Sequence, residues 1–250
     1  MPDSFLEIEQ QIEKAKMLLA PKLKNQENVK YIAYFQNFTN TYGDIDKLKN
    51  LWFRALSCPD VAGISIATRP DCLSDECLEV ISLLAKKTFV QVELGLQSTN
   101  EKTAALIRRG YQNQIYFDAV KKLHDVDCKI HVVSHVIFGL PCESECDMLK
   151  TVFDVVNAKS DGIKITNLYV LAQTDLQKMF EKGEYKPLEM EEYFELLKKA
   201  LKIIPKNVVI HRLTGDPPKK ILIAPDWTKN KKLVLSRINN LLCDYERLQV

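Results

Sequence analysis

The stretch QVELGLQS (residues 91–98) carries the first sign of chemistry. Strand alternation puts Gln91, Glu93, Gly95 and Gln97 on one side, and Val92, Leu94 and Leu96 on the other. A strand buried in a plain hydrophobic core has no use for the first set. Arg109 follows twelve residues after Gln97. Its planar fork can bind a carboxylate or phosphate through two parallel hydrogen bonds; the alternative is a cation answering a helix dipole. Arg69 and Asp71 either hold a ligand or pair with each other. Thr39, Asn40 and Thr41 offer neutral oxygens that accept from an ammonium, or else cap a turn. His135 can donate and accept in its neutral form, whereas His131, two pleats earlier, reads as a satisfied core residue. His211, Arg212 and Asp216 cluster beside Gly215-Asp216-Pro217-Pro218, as a substrate-pocket wall or a salt-bridged turn.

These residues need a scaffold, and the pattern of elements supplies one. Phe5, Ile8, Ile12, Ala15 and Leu19 keep helical spacing up to Pro21, behind a Ser4-x-x-Glu7 capping pair. Strands are predicted over 30–37, 61–68, 88–96, 129–138, 162–170 and 208–212. Helices are predicted over 45–56, 74–86, 101–108, 114–124, 144–157, 189–204 and 231–248, with Ser98-x-x-Glu101 read as the capping box of the third. Strand and helix alternate with short connections, so the crossovers are right-handed and the sheet parallel. Polar residues recur on one strand face: Gln36, Ser65, Arg69, Glu93, His131, His135 and Lys164. That pattern fits an α/β fold, a partial (β/α)6 TIM-like barrel, whose site lies where strands end and loops begin. A flat doubly wound sheet is the alternative. The division expected is 1–205 for the barrel and 206–250 for a C-terminal α/β extension packed on it.

Composition narrows the function classes. Lys and Arg total 35 against 33 Asp and Glu, a net charge of +2. No broad basic field is available to attract nucleic acid. No apolar run reaches the roughly 20 residues that span a bilayer, and the polar N-terminus is not a secretory signal. The seven scattered cysteines then read as reduced thiols of a cytoplasmic protein.

Several strings taken together resemble a known family. TRPD (68–71), VELGLQS (92–98), the Gln97/Arg109 pair and HVIFGLP (135–141) fall in order on successive predicted strands. They look like the radical S-adenosylmethionine (radical SAM) superfamily. YIAYFQNFTNTY (31–42), SIATRPDCL (65–73) and VIHRLTGDPP (209–218) resemble its YhcC-type branch, and TRPD with VELG-QS also resembles the elongator-subunit radical SAM domain. The likeness runs from about residue 30 to residue 227.

What the resemblance implies is specific. Three cysteines of a CxxxCxxC loop hold a [4Fe–4S] cluster that reductively cleaves S-adenosylmethionine to a 5′-deoxyadenosyl radical, with an electron donor and an unknown substrate as partners. Gln97 and Arg109 would meet the cofactor carboxylate or ribose, and Thr39–Asn40–Thr41 its amino group. Arg69, Asp71, Glu93 and His135 would line the same hollow. Ile137 and Tyr169 would meet adenine; to His211, Arg212 and Asp216, which lie in the branch-like VIHRLTGDPP string, the resemblance assigns no chemistry. One departure stands at position 67, where relatives carry a Glu and this chain has Ala67. A larger one is the absence of any CxxxCxxC: Cys142-x-x-x-Cys146 has the first spacing, but position 149 is Leu149. The first family strand and its cluster loop would precede Met1, so the chain is expected to be a truncated member, with no cluster of its own and with an exposed strand edge from Lys30 to Asn37 open to self-association. A non-catalytic module that holds an adenosyl ligand, a nucleotide or RNA in the same barrel is the alternative.

Overall fold

The structure is a computed structural model and describes residues 6–23 and 26–248. In chain order come helix α1 (Ile8–Leu19), strand β1 (Tyr31–Phe35), α2 (Ile45–Leu56), β2 (Val61–Thr68), α3 (Asp75–Ala85) and β3 (Phe89–Gln97). Then follow α4 (Glu101–Leu106), α5 (Asn113–Val126), β4 (His131–Phe138), α6 (Glu145–Asn157), β5 (Gly162–Asn167) and β6 (Val170–Leu171). After these come α7 (Asp175–Glu181), α8 (Met190–Ile203), β7 (Val209–Arg212), β8 (Leu222–Ala224) and α9 (Lys231–Leu248). Six strands form one sheet in the order β1-β2-β3-β4-β5-β7, while β6 and β8 form a separate antiparallel pair. The β1–β2, β2–β3 and β5–β7 pairings are parallel. Backbone contacts divide the chain into two units, residues 1–95 with 115–133, and residues 96–114 with 134–250.

In the first unit the helices start where short polar side chains can cap them. The Asp44 carboxylate accepts from the backbone N–H of Asp46 and Lys47, and Ser74 accepts from Cys77. Ser4 and Phe5 lie outside the described residues; the capping box observed at α1 is formed by Glu7 and Gln10. One face of each strand is apolar: Ile64, Ile66, Val90, Val92 and Leu94 are fully buried. Each such side chain contributes about 2 kcal/mol through removal from water. Ile8, Ala33 and Ala55 form a further cluster with Ile12, Phe35, Leu51 and Val61, which holds α1 and α2 to β1. β1 ends the sheet order, with Ile32 and Tyr34 about half exposed.

The second unit departs from the sequence reading in several places, among them helix α7, absent from that reading. The cap of α4 is Asn100, whose side chain accepts from the N–H groups of Lys102 and Thr103, instead of Ser98. Ser98 turns elsewhere, and Glu101 accepts from the N–H of Asn113. α4 also stops at Leu106, because Arg108 (φ 57°) and Gly110 (φ 87°) take left-handed conformations that reverse the chain. Finally, the strand expected over 162–170 ends at Asn167, and Val170 begins β6, paired with β8. The β6–β8 pair and α7 form a small core around Val170, Tyr185 and Ala224. Periodicity cannot announce strands of two and three residues.

Candidate functional site

The polar face read from the sequence exists in the first unit, and register explains its layers. Ile32 pairs with Gly63 and Gly63 with Phe89; Tyr34 pairs with Ser65 and Ser65 with Gln91; Ala67 pairs with Glu93. The lowest layer is closed by a phenyl and an imidazole ring. Phe89 and His131 lie 6.0 Å apart, and a Cβ on Gly63 would meet the Phe89 carbonyl at 3.0 Å. Glu93 sits above, only 2% exposed. Its carboxylate accepts from Tyr34 Oη (2.7 Å), Ser65 Oγ (3.1 Å) and Gln91 Nε2 (2.6 Å). Gln91 also donates to Ser65 Oγ. A buried carboxylate is tolerable only with donors arranged around it, and these neutral side chains provide them.

The loop after β1 is stapled to its surroundings. Asn40 Nδ2 donates to the carbonyls of Phe35 (2.9 Å) and Ala67 (2.8 Å), tying the ends of β1 and β2 together. Thr41 is buried, shares a hydrogen bond with Thr68 and donates to the Cys72 carbonyl. The Thr39 hydroxyl has no hydrogen-bond partner among the described residues. Phe38, in a left-handed conformation, and Tyr42 project from the same loop, 92% and 79% exposed. Arg69 and Asp71 resolve to the pairing alternative: Nε and Nη2 meet both carboxylate oxygens at 3.0 and 2.6 Å.

In the second unit, Gln97 is the last residue of β3 and adopts φ 66°, an uncommon conformation for a side-chain-bearing residue. Its side-chain amide makes no hydrogen bond among the described residues. Arg109 behaves differently. The chain reversal after α4 returns it to the end of β3, where it is 5% exposed. Its guanidinium donates to the carbonyls of Ser98 (2.6 Å), Leu96 (3.4 Å) and Tyr111 (2.7 and 3.0 Å). It also reaches Glu101 at 3.4 Å and stacks on the Tyr111 ring at 4.5 Å. The group is thus committed to backbone carbonyls, a role the twelve-residue spacing from Gln97 could not reveal.

Beside it, Ser98 Oγ donates to Glu143, a residue sequence reasoning missed. Burial pushes the Glu143 carboxyl up to about 7, despite the Ser98 hydrogen bond, and its Oε2 is buried without a partner. His135 and Ile137 are half-buried on the same face of β4. Tyr169 lies after β5 with its hydroxyl buried and unpartnered. That hydroxyl sits 1.1 Å from where a Cβ of residue 215 would be, so only glycine fits there. Asp216 pairs with Lys231, and Arg212 is exposed at the end of β7. The structure thus joins Tyr169 to the Gly215 turn, while Gln97 and Arg109 share only the end of β3.

The residues present do not fit an iron–sulfur cluster. Among the described residues, no group of His, Cys, Asp or Glu is placed to hold a metal ion. Burial raises the Cys58 and Cys72 thiols and pushes Cys77 up to about 12. No helix of the described residues is long and apolar enough to cross a membrane.

Comparison with known proteins settles the class. Residues 7–155 match the family model described as the radical SAM superfamily, and residues 160–242 match the Radical_SAM C-terminal domain. The chain belongs to the radical SAM superfamily. Within it, the chain is 43% identical over 213 residues to the uncharacterized protein YtqA of Bacillus subtilis (strain 168), covering 85% of this chain and 66% of that one. It is 31% identical over 219 residues to the protein YhcC of Escherichia coli (strain K12), covering 85% and 70%. These relatives and the elongator-like ones define a YhcC/elongator-like branch. The chain spans about two thirds of the length of the curated relatives it matches first. A solved structure of Methanocaldococcus infernus Elp3 with an N-terminal deletion aligns with TM-score 0.74 at 21% identity, over 94% of this chain and 59% of that one. This likeness shows the fold, an α/β partial barrel of the TIM type.

Two predictions follow from the second unit. Arg109→Ala should lower unfolding free energy by about 3 kcal/mol, because it strands buried carbonyls and Arg109→Lys cannot replace the fork; chemical denaturation measures both. Glu143 holds its proton more tightly when folded. Its stabilising contribution is therefore present below about pH 4.5 and is lost as pH rises to about 7. Glu143→Gln should gain stability relative to wild type across that window; a difference that does not change with pH would contradict this.

Proposed function

We propose that this chain is the cofactor-holding barrel of a radical SAM enzyme, with S-adenosylmethionine bound at the C-terminal ends of the strands. The observation that carries this reading lies at the end of β3 in the second unit. There Arg109 is engaged within the protein, whereas the Gln97 side chain is not. The Gln97 amide would meet the cofactor's carboxylate or ribose. Arg109 acts through Gln97 by fixing the end of β3, and Ile137 with Tyr169 would flank adenine.

When bound, a reduced [4Fe–4S] cluster supplies the electron that cleaves the sulfonium in this superfamily. The described residues include no three-cysteine ligand set, so that half of the chemistry needs ligands beyond them. The electron donor and the substrate lie outside the chain's own chemistry. A cytoplasmic setting, which keeps thiols reduced, agrees with this reading. The RNA-binding alternative finds no support in a net charge of +2.

After anaerobic iron–sulfide reconstitution, this chain alone should form no 5′-deoxyadenosine, yet calorimetry should register S-adenosylmethionine binding that Gln97→Ala weakens about tenfold. Cluster-dependent cleavage by this chain, or no binding at all, would overturn the proposal. The open β1 edge should also promote concentration-dependent association, read by sedimentation velocity. A monomer at all concentrations would refute that second point.

A further inference from the structure

We propose that Arg212, with Tyr169 and the turn at residues 214–218, forms a site for an oxyanion, the carboxylate or phosphate group of a substrate. The inference rests on the reading above that strand ends hold the ligands.

The charges at this place do not balance. Asp216 has its carboxyl held below the usual range first by its hydrogen bond from Lys231, and also by Arg212 and Lys219. Lys231 alone pairs with it at ion-pair distance. Arg212 and Lys219 form no ion pair among the described residues. Arg54, Arg69, Arg108, Arg109 and Arg237 each do, so Arg212 is the exception among arginines whose side chains are described. In a chain of net charge +2, a local excess of two cations is not a consequence of overall composition.

The residue that follows β5 adds a polar atom without a partner: Tyr169 Oη is buried and unbonded. Leaving such a group unpaired costs about 1–3 kcal/mol. β5 and β7 are hydrogen-bonded in parallel, with Lys164 opposite Arg212 in the register, so β5 leads into the same place. Burial pushes the Tyr169 phenol up to about 12, which keeps it a hydrogen donor at neutral pH. Gly215 lets the phenol lie against the turn backbone; any larger residue would displace it. Arg212 acts on the Tyr169 phenol electrostatically, and a guanidinium with a neutral phenol donor suits an anion with two or three oxygens.

The test uses the chain labelled with 15N at arginine side chains. It is titrated with inorganic phosphate and, separately, with acetate at constant ionic strength, while the Nε–H signals are followed. A saturable shift of the Arg212 signal is expected with at least one probe, and the stronger of the two names the oxyanion. Arg212→Gln should weaken binding about tenfold, and Tyr169→Phe about threefold. Arg212 is exposed, so its variant should fold, and an unchanged thermal unfolding midpoint of that variant would verify this. No saturable shift with either anion, or equal affinity in Arg212→Gln, would overturn the proposal. If the wild-type chain fails to bind S-adenosylmethionine but binds the anion through Arg212, the cofactor reading falls and this site stands.

Discussion

A buried guanidinium holds the end of β3 in shape. A cation removed from water costs several kcal/mol unless its donors are satisfied, and Arg109 satisfies them on the carbonyls of Leu96, Ser98 and Tyr111. Those carbonyls belong to a strand end and to a chain reversal that would otherwise have no reason to meet. The clamp therefore determines where β3 stops, how short α4 must be, and where the next helix can start. It also holds Gln97 in a left-handed conformation, which costs about 1 kcal/mol or more for a residue with a side chain. Strain of this kind persists only where the surroundings over-determine it, and here Arg109 and the Ser98 turn do so.

Elements built on local periodicity were legible in the sequence. The bounds of α2, β2 and α9 follow directly from apolar spacing and from the capping residues or turns beside them. The alternation of 91–97 correctly announced a polar face, because parity is a property of one strand. The role of Arg109 was not legible. A helix over 101–108 would carry Arg109 away from Gln97 at about 1.5 Å per residue, whereas the chain reverses at Arg108 and Gly110. A reversal depends on what receives the returning side chain, and no single stretch contains that information. The same holds for Glu143, whose partner Ser98 lies 45 residues away.

Glu93 makes the complementary point. The pattern singled it out, and its neighbours decide what it does. Tyr34 from β1, Ser65 from β2 and Gln91 from its own strand converge on one carboxylate. A carboxylate so surrounded ties three strands into one register, since a slip of one residue would carry every donor to the opposite face. The polar layer is thus structural first, with the Phe89–His131 contact closing it below.

Residue type alone cannot separate a group that serves the scaffold from one that serves a ligand, since Thr41 and Thr39, or Arg109 and Arg212, differ only in surroundings. Thr41 and Arg109 are enclosed and satisfied; Thr39 and Arg212 are not. Folding gives no reason to leave a buried donor such as Tyr169 Oη unpaired, because it costs about 1–3 kcal/mol. Its persistence after β5, beside a turn that tolerates only glycine at 215, is the kind of cost a binding site imposes on its fold. The VIHRLTGDPP string then gains a physical meaning: Gly215 admits the phenol, Asp216 fixes the turn through Lys231, and Arg212 is left unpaired at the strand end.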